Sequence, residues 1–458
     1  MKGLARVFVL FAVLVVTVLA EKPNILVIFT DDQGYADLGC FGNEKNKTPC
    51  MDRLASEGTR FTSFYAQPVC GPSRSALLTG RYPDLSKGWK MPGDEITFAE
   101  LLKPAGYQTV CIGKWDVSDR KEKIDCMPNA QGFDYYFGPL GANDHGIVQF
   151  HENNTPAGET TNMASLTRLY TDKAIDWLEA RRDPGKPFVL YLAHSMMHTI
   201  IDASPEFKGR SAGGLYGDVV EEFDHETGRL LDKVDALGLR ENTLLIYTSD
   251  NGPWCQEKYR KFKSMPEDGP KGGHDSAWYM PRDTVFWGDP GGLRGGKGSA
   301  YEAGSRVPCI VRWPGKVPAD RTSDAVWATI DFLPTFMALA GVEVPKDRII
   351  DGVDQTDLLT GKRVEGRSTF MYSQAAAGGM VGIRKGKWKL LMPDRKPKKD
   401  HRYLMDFGTN GLELYNLDED AGEQNNVAAE HPEVVGELTS LLEAFKDGRK
   451  SKPDSDGE

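Results

Sequence analysis

The chain has 458 residues, 40% of them hydrophobic and 10% aromatic, with a formal net charge of -10 at pH 7. This composition is sufficient for a large buried core and for more than one domain, and it excludes a mostly disordered chain. The acidic balance also argues against nucleic acid as a partner, because phosphate backbones require a basic protein face.

The N-terminus has the pattern of a secretory signal peptide. Lys2 and Arg6 precede an apolar run over residues 7–19, and Ala20 ends the segment. The run is shorter than the ~20 residues that a membrane-spanning helix needs. We therefore predict a signal peptide over residues 1–20, export to the periplasm or the medium, and no stable membrane insertion.

Seven cysteines are an odd number for an exported chain, in which cysteines usually pair. We expect Cys70 to be the unpaired one. Cys40 and Cys50 are close enough in sequence to form a disulfide, whereas Cys111 and Cys309 lie in apolar runs that are typical of buried thiols.

From Asn24 to about residue 340, apolar runs alternate with amphipathic stretches, which is typical of β-α units that feed a mainly parallel sheet. The predicted strands are 24–30, 108–113, 188–193, 244–248 and 308–313. The predicted helices are 51–57, 73–79, 97–103, 166–181, 219–237 and 333–339. The polar, Gly- and Pro-rich stretch 254–292 is expected to form a long loop over the edge of the sheet.

The pattern changes near residue 365. The later predicted elements are strands at 368–372, 380–384 and 388–392 and a helix at 433–445. We therefore expect an α/β catalytic domain over residues 21–364, with a large, mainly parallel sheet flanked by helices. A smaller C-terminal subdomain, with an antiparallel sheet and a helix, is expected over residues 365–447, followed by a charged tail over residues 448–458.

Two polar pairs follow predicted strands at the point where each strand ends. Asp31 and Asp32 come after the first strand, and Asp250 and Asn251 come after the fourth. An Asp-Asp pair on its own is more often a turn or a helix cap. Ligands bind at the carboxyl ends of strands in open α/β sheets, so the two pairs together are expected to hold one cation. Carboxylate and amide oxygens suit calcium, or alternatively magnesium, better than zinc.

The segment from Cys70 to Arg81 reads C-G-P-S-R-S-A-L-L-T-G-R. It resembles the C-x-P-S-R signature of the type I sulfatases, which have the alkaline-phosphatase-like fold. The resemblance implies that a formylglycine-generating or equivalent maturation enzyme converts Cys70 to formylglycine, whose hydrate is the nucleophile and a metal ligand. Pro72 fits the first turn of a helix, so Cys70 would stand at a helix N-terminus that favours an anion. Arg74 is expected to hold the nucleophile and the metal-bound oxygens.

Gly113-Lys114-Trp115 resembles the family's G-K-W-H element, which implies that Lys114 contacts the sulfate. Asp116 stands where the family usually has His. We expect Asp116 to act as a carboxylate base in place of that His, with transfer of the role to another residue as the alternative.

Further segments resemble later sulfatase elements. Residues 191–199 are similar to the family's post-strand P-H-T element, which implies that His198, rather than His194, contacts the sulfate or the leaving group. Residues 293–302 resemble the L-R-G-G-K-G-x-x-x-E block, in which Lys297 binds the sulfate and the leaving oxygen. Without the resemblance, such a loop could be a plain turn with a solvated Lys.

Together these residues predict a sulfatase that hydrolyses sulfate monoesters of a sulfated small molecule or glycan. The resemblance implies that the aldehyde hydrate attacks sulfur while the cation, Lys114, Lys297 and Arg74 hold the sulfate oxygens. The second hydroxyl on the same carbon then allows sulfate to be expelled as the aldehyde reforms. The basic run 258–263, with Trp254 and Trp278 nearby, is a candidate surface for a sulfated glycan, although such runs are more often solvated.

Two other functions fit parts of this pattern. A phosphoester or phosphonate hydrolase of the same superfamily commonly has an Asp-His pair, so the neutral Asn251 favours sulfate. A catalytically inactive glycan-binding relative would explain Asp116 but not the presence of Cys70, Arg74 and Lys297.

Overall fold

The computed structural model describes residues 22–144, 146–254, 287–373, 379–393 and 411–450. The strands of the large sheet are β1 (Asn24–Thr30), β2 (Thr59–Tyr65), β3 (Gln108–Gly113), β4 (Tyr135–Gly138), β5 (Val148–Glu152), β6 (Thr155–Thr160), β7 (Phe188–Ala193), β8 (Thr243–Ser249), β9 (Arg306–Arg312), β10 (Arg321–Ser323) and β11 (Trp327–Ala328). The strands of a second sheet are β12 (Thr369–Ser373), β13 (Met380–Lys385), β14 (Trp388–Leu391) and β15 (Glu413–Asn416). The helices are α1 (Pro49–Ser56), α2 (Cys70–Thr79), α3 (Pro83–Ser86), α4 (Phe98–Leu102), α5 (Leu166–Asp176), α6 (Gly214–Ala236), α7 (Glu302–Ser305), α8 (Phe332–Ala340), α9 (Thr356–Leu359) and α10 (Pro432–Lys450).

The large sheet is mixed, with a parallel centre. Its strand order is β10-β2-β9-β8-β1-β7-β3-β4-β5-β6, and β11 pairs with β2. β1 pairs in parallel with both β7 and β8, whereas β9 runs antiparallel to β2 and β8. The second sheet is antiparallel, with the order β12-β13-β14-β15. The predicted fold class, a large sheet flanked by helices with a smaller antiparallel sheet, is confirmed, while the exact domain boundaries stay a prediction.

The central strand β1 is buried along its whole length. Ile25 and Val27 belong to the hydrophobic core on one face of the sheet, and Leu26 and Ile28 belong to the core on the other. A strand that is covered on both faces has no solvent side, so its sequence is a continuous apolar run. The residues that follow β1 therefore emerge from a rigid element in the middle of the sheet.

Several element bounds differ from those predicted. β1, β3 and β7 have the predicted bounds, but β9 begins at Arg306 rather than at residue 308. α2 begins at Cys70 itself, and α5 ends at Asp176, with a π-helical turn over Trp177–Arg181. The sequence does not predict β2, in which the half-buried Arg60 and Thr62 interrupt the apolar pattern, or β6, which is exposed along most of its length.

The second sheet packs against the large one through a shared core. Leu438 and Leu442 of α10 are buried in the same cluster as Tyr65 of β2 and Tyr82. The phenol group of Tyr82 accepts a hydrogen bond from the backbone N–H of Met371 on β12 at 2.9 Å. The two sheets therefore share one continuous apolar contact.

The cysteines do not follow the expected pairing. Cys40 and Cys50 are both free thiols, so the disulfide that their closeness in sequence would allow is not formed. Their backbone N–H groups donate to different carboxylates, Asp52 at 2.7 Å and Asp224 at 3.0 Å, which holds each cysteine in separate surroundings. All six cysteines among the described residues are free, so pairing does not single out Cys70.

Some predicted features lie outside the described residues. These are the signal peptide at 1–20, the basic run 258–263 with Trp278, and the end of the charged tail. In the ranges that the structure describes, no helix is long and apolar enough to cross a membrane.

Candidate functional site

The two polar pairs lie side by side at the carboxyl edge of the large sheet. β1 and β8 are parallel neighbours, and their last residues, Thr30 and Ser249, are partners in the ladder. The backbone N–H of Asp32 donates to Asp250 Oδ1 at 3.3 Å, and Asn251 Nδ2 donates to Asp32 Oδ1 at 2.7 Å. Both pairs are buried. The structure therefore brings together the residues that the sequence predicts as metal ligands.

Cys70 begins α2 and faces the first acidic pair. Its Sγ lies 3.2 Å from Asp31 Oδ1 and 3.9 Å from Asp32 Oδ1. One possible ligand atom each from Asp31, Asp32, Cys70 and His198 lies within 4.8 Å of the others. Burial, followed by the nearby carboxylates, raises the pKa of the Cys70 thiol well above its ordinary value. Unmodified Cys70 is therefore a neutral thiol at pH 7.

The oxygens around this point fit a hard divalent cation. The buried Oδ1 of Asn251 has no hydrogen-bond partner, although buried amide oxygens usually have one, so this atom is free to bind a cation. Asp31 and Asp32 supply two more oxygens close by. Asp250 is partly committed, because its Oδ2 accepts two hydrogen bonds from Arg74 at 3.1 and 2.9 Å. An oxygen in place of the Cys70 sulfur would make the whole ligand set hard.

Two buried lysines neutralise the first acidic pair. Lys114 Nζ lies 2.5 Å from Asp31 Oδ2, and Lys297 Nζ lies 2.6 Å from Asp32 Oδ1. Burial alone would raise the pKa of Asp31, but Lys114 and the other nearby cations hold that pKa well below its ordinary value. The two lysines therefore balance the charge of the buried Asp31 and Asp32 carboxylates.

The two histidines of the segment 191–199 have different surroundings. His198 Nε2 lies 3.3 Å from Asp144 Oδ1 and 3.7 Å from Asp32 Oδ2. The His194 ring packs edge to face on Tyr170, with 5.2 Å between ring centroids. Burial lowers the pKa of His194 to about 3, so this ring is neutral. The structure thus places His198 at the site and His194 in the core.

Asp116 is a fully engaged carboxylate. Its Oδ1 accepts from Arg120 Nε at 2.7 Å, and its Oδ2 accepts from Trp89 Nε1 at 3.1 Å. Lys114 Nζ lies 3.6 Å from the same Oδ2. Burial would raise the pKa of Asp116, but Arg120 and Lys114 lower it below the ordinary value. These contacts do not favour the predicted role of Asp116 as a base.

Sequence reasoning does not identify three residues that contact this region: Arg120, Asn143 and Asp144. Asp144 lies beside His198, and Asn143 Nδ2 donates to the backbone oxygen of His198 at 2.8 Å. Single charged or polar residues in loops form no pattern that indicates a site. The one feature of the sequence that points to this region is Asp116, which stands where the sulfatase element G-K-W-H has His.

Trp254 borders the site. Lys297 Nζ lies 4.8 Å from the centroid of its ring, within range of a cation–π interaction. The His198 ring is 6.4 Å away, between centroids. The indole nitrogen of Trp254 is buried and has no hydrogen-bond partner. Trp254 is thus an aromatic wall next to two predicted substrate contacts.

Comparison with known proteins gives consistent matches along the chain. The family model described as Sulfatase matches residues 23–342, and the model described as N-sulphoglucosamine sulphohydrolase, C-terminal, matches residues 296–448. The chain is 33% identical to an N-acetylgalactosamine-6-O-sulfatase of Bacteroides thetaiotaomicron, over 93% of this chain and 94% of that protein. It is 31% identical to arylsulfatase G of Rattus norvegicus, over 95% of this chain and 89% of that protein.

A solved structure also matches closely. It is described under the metabolism of multiple glycosaminoglycans by Bacteroides thetaiotaomicron. The TM-score is 0.77 at 30% sequence identity, and the match covers 93% of this chain and 100% of the other.

Proposed function

This chain belongs to the sulfatase family and is a sulfuric ester hydrolase, and from that premise we propose that it removes sulfate from a sulfated carbohydrate at the site around Cys70. The names of its relatives support a carbohydrate substrate. Because one of them is an N-acetylgalactosamine-6-O-sulfatase, a 6-sulfated N-acetylamino sugar is the first substrate to test.

The observation that carries the assignment of the site is the position of Cys70. Its side chain lies at the buried start of α2, 3.2 Å from Asp31 Oδ1. The N-terminal turn of a helix of this length supplies unpaired N–H groups that favour an anion. A nucleophile at this point would meet a sulfate group whose charge is balanced by Lys114 and Lys297.

We propose that Cys70 is oxidised to formylglycine, whose hydrate supplies the nucleophilic hydroxyl. A formylglycine-generating enzyme would carry out this change during export, for which the predicted signal peptide provides the route. The unengaged Oδ1 of Asn251 and the oxygens of Asp31, Asp32 and Asp250 would hold one calcium ion. When bound, this ion would polarise a sulfate oxygen as a Lewis acid.

The side chains of this chain then have separate tasks. Lys114 and Lys297, both buried, would bind sulfate oxygens once substrate competes with their present carboxylate partners. Arg74 holds Asp250 through two nitrogens and so fixes one ligand side chain. His198 Nε2 lies 3.7 Å from Asp32 Oδ2, so its ring is placed to contact the sulfate or the leaving oxygen. The low exposure of all these groups excludes water from the charges.

The test is a sulfate-release assay with protein co-produced with a formylglycine-generating enzyme and supplied with calcium. The substrates are the 6-sulfate and 4-sulfate of N-acetylgalactosamine, the 6-sulfate of N-acetylglucosamine, and the 6-phosphate of N-acetylgalactosamine. We expect free sulfate from at least one sulfated sugar with the native chain and none with Cys70→Ala. Preferential release of phosphate, or equal sulfate release by Cys70→Ala, would contradict the proposal.

A further inference from the structure

A continuous chain of polar contacts connects Asp116 to His198. Asp116 Oδ1 accepts from Arg120 Nε at 2.7 Å, and Arg120 Nη1 donates to Asp144 Oδ2 at 2.5 Å. The other oxygen of Asp144 lies 3.3 Å from His198 Nε2. Each carboxylate therefore uses one oxygen for the arginine, and Asp144 keeps its second oxygen for the imidazole ring.

The His198 segment is held at further points from the same loop. Asn143, next to Asp144, donates from Nδ2 to the backbone oxygens of His198 and Ile200 at 2.8 and 2.7 Å. His198 Nδ1 lies 2.5 Å from the backbone oxygen of Thr199. With Nδ1 engaged by the backbone and Nε2 beside Asp144, the ring orientation depends on the Asp144 carboxylate.

The loop that carries Arg120 has an uncommon backbone. Asp116, Asp119 and Arg120 all have positive φ, at 58°, 58° and 55°. Aspartate tolerates this left-handed conformation, but arginine pays about 1 kcal/mol or more for it. Strained residues persist where surrounding contacts determine them, and here the contacts are the two ion pairs of Arg120. In this conformation the Arg120 guanidinium lies between the carboxylates of Asp116 and Asp144.

Asp116 is poorly suited to remove a proton. Accepting a proton on Oδ1 would break the ion pair with Arg120, and Oδ2 already accepts from Trp89 and faces Lys114. The Arg120 side chain is one-third exposed, whereas that of Asp144 is 6% exposed. Arg120 therefore lies between the solvent and Asp144, and it shields the buried carboxylate that faces His198.

We propose that Arg120 and Asp144 are positioning residues that orient His198, and that Asp116 anchors Arg120 instead of acting as the base. The inference rests on the proposed role of His198 in the sulfatase reaction. It gives Asp116, which stands where the sulfatase element that this segment resembles has His, a role through Arg120 and Asp144 on the His198 ring.

A double-mutant cycle tests whether Arg120 acts through His198. We compare the kcat and KM of the native chain, Arg120→Ala, His198→Ala and the double variant, with Arg53→Ala as a matched control. Arg53 is half-exposed on α1 and forms a loose surface pair with Asp232 at 3.7 Å. Loss of an orienting partner costs ~10- to 100-fold in activity, so we expect a kcat reduction of that size in Arg120→Ala with little change in KM.

The double-mutant cycle distinguishes a role in orienting His198 from a general effect of Arg120 on protein stability. In the His198→Ala background, Arg120→Ala should have almost no further effect, because the group that it orients is absent. Asp144→Asn should lower kcat in the same non-additive way. Asp116→Asn should lower kcat no more than Arg120→Ala does and should have almost no effect in the His198→Ala background, because the carboxylate acts through Arg120. A base role predicts near-complete loss of activity in both backgrounds. Equal effects of Arg120→Ala in both backgrounds, or a loss in Asp116→Asn far beyond that in Arg120→Ala with a native thermal midpoint, would overturn the proposal.

A crystal structure of Arg120→Ala gives a readout that does not depend on turnover. We expect the contact between His198 Nε2 and Asp144 Oδ1, which is 3.3 Å in the native chain, to be lost. An unchanged ring would overturn the positioning role even if the proposed sulfatase substrate is correct. Absence of sulfate release by the native chain would instead count against the proposed function alone.

Discussion

The side-chain nitrogen of Lys389, on β14 of the small sheet, lies 3.0 Å from a carboxylate oxygen of Glu302 at the start of α7. Both side chains are fully buried. Glu302 also accepts hydrogen bonds from the phenol groups of Tyr65 and Tyr372 at 2.6 and 2.7 Å. Glu302 follows closely after the loop that carries Lys297, so this network ties the small sheet to one wall of the site.

We expect Glu302→Gln to lower the free energy of unfolding by about 2–3 kcal/mol at pH 7, because the buried Lys389 loses one of the two carboxylates beside it and keeps Glu423 at 2.8 Å, while Tyr65 and Tyr372 lose a charged acceptor. Glu343→Gln is the matched control. Glu343 is 84% exposed and pairs only with Lys346 at the surface, so its loss should cost no more than about 1 kcal/mol. Denaturant unfolding at pH 7 measures both, and equal stabilities would contradict the buried network.

The same pair predicts a pH dependence. Burial would raise the pKa of Glu302, but Lys389 and Arg306 hold it below the ordinary value of 4.5. A lowered carboxylate pKa contributes stability that is fully present above pH 4.5 and is lost as the pH falls further. The native chain should therefore lose stability more steeply than Glu302→Gln below pH 4.5. Parallel curves for the two chains would exclude this contribution.

Calcium should stabilise the folded chain through Asn251. At a calcium concentration a hundredfold above Kd, binding adds about 2.7 kcal/mol to the free energy of unfolding. We expect the thermal midpoint to rise with calcium and fall with a chelator in the native chain, and to respond little in Asn251→Leu. Asn162→Leu, at an exposed position, is the control and should respond like the native chain. A full calcium response in Asn251→Leu would remove this residue from the ligand set.

Lys297→Ala should lower kcat/KM for the sulfated substrate by ~100- to 1,000-fold, because it removes the buried cation that we propose binds the sulfate. The exposed Lys316→Ala is the control, and its kinetics should match those of the native chain. Steady-state sulfate release measures both variants. A loss of less than ten times in Lys297→Ala would show that Lys297 does not bind the reacting group.

His198→Ala and His194→Ala should differ in kind. The first should lower kcat by ~100-fold or more, as expected for loss of the side chain that we propose contacts the sulfate or the leaving oxygen. The second removes a packed core ring and should lower the free energy of unfolding by about 1–3 kcal/mol while kcat changes only a few-fold. Kinetics and denaturant unfolding on both variants separate the roles. The reverse pattern would assign the chemistry to His194.

The sequence predicts those parts of the fold and of the site in which a run of apolar residues indicates a buried strand. β1, β3 and β7 are continuous apolar runs because both faces of the central sheet are covered, so their bounds follow from the sequence. Asp31 and Asp250 are predictable because each directly follows such a run. β6 is exposed along most of its length and has no such signal.

Contacts between residues of different loops cannot be predicted from such apolar runs. Arg120 and Asp144 meet only because the chain turns back after β3 and β4, and neither carries a motif. Cys40 and Cys50 stay unpaired for a related reason: closeness in sequence does not determine the direction of a side chain. Tertiary contacts of single residues require the structure.

The central claim is that position 70 carries the oxidised nucleophile, and mass spectrometry of the tryptic peptide 61–74 tests it most directly. The protein is co-produced with a formylglycine-generating enzyme and compared with Cys70→Ala. The account predicts a mass that is roughly 18 Da below that of the unmodified cysteine peptide. It also predicts sulfate release that rises in proportion to the converted fraction. An unmodified thiol in protein that still hydrolyses sulfate esters would contradict it.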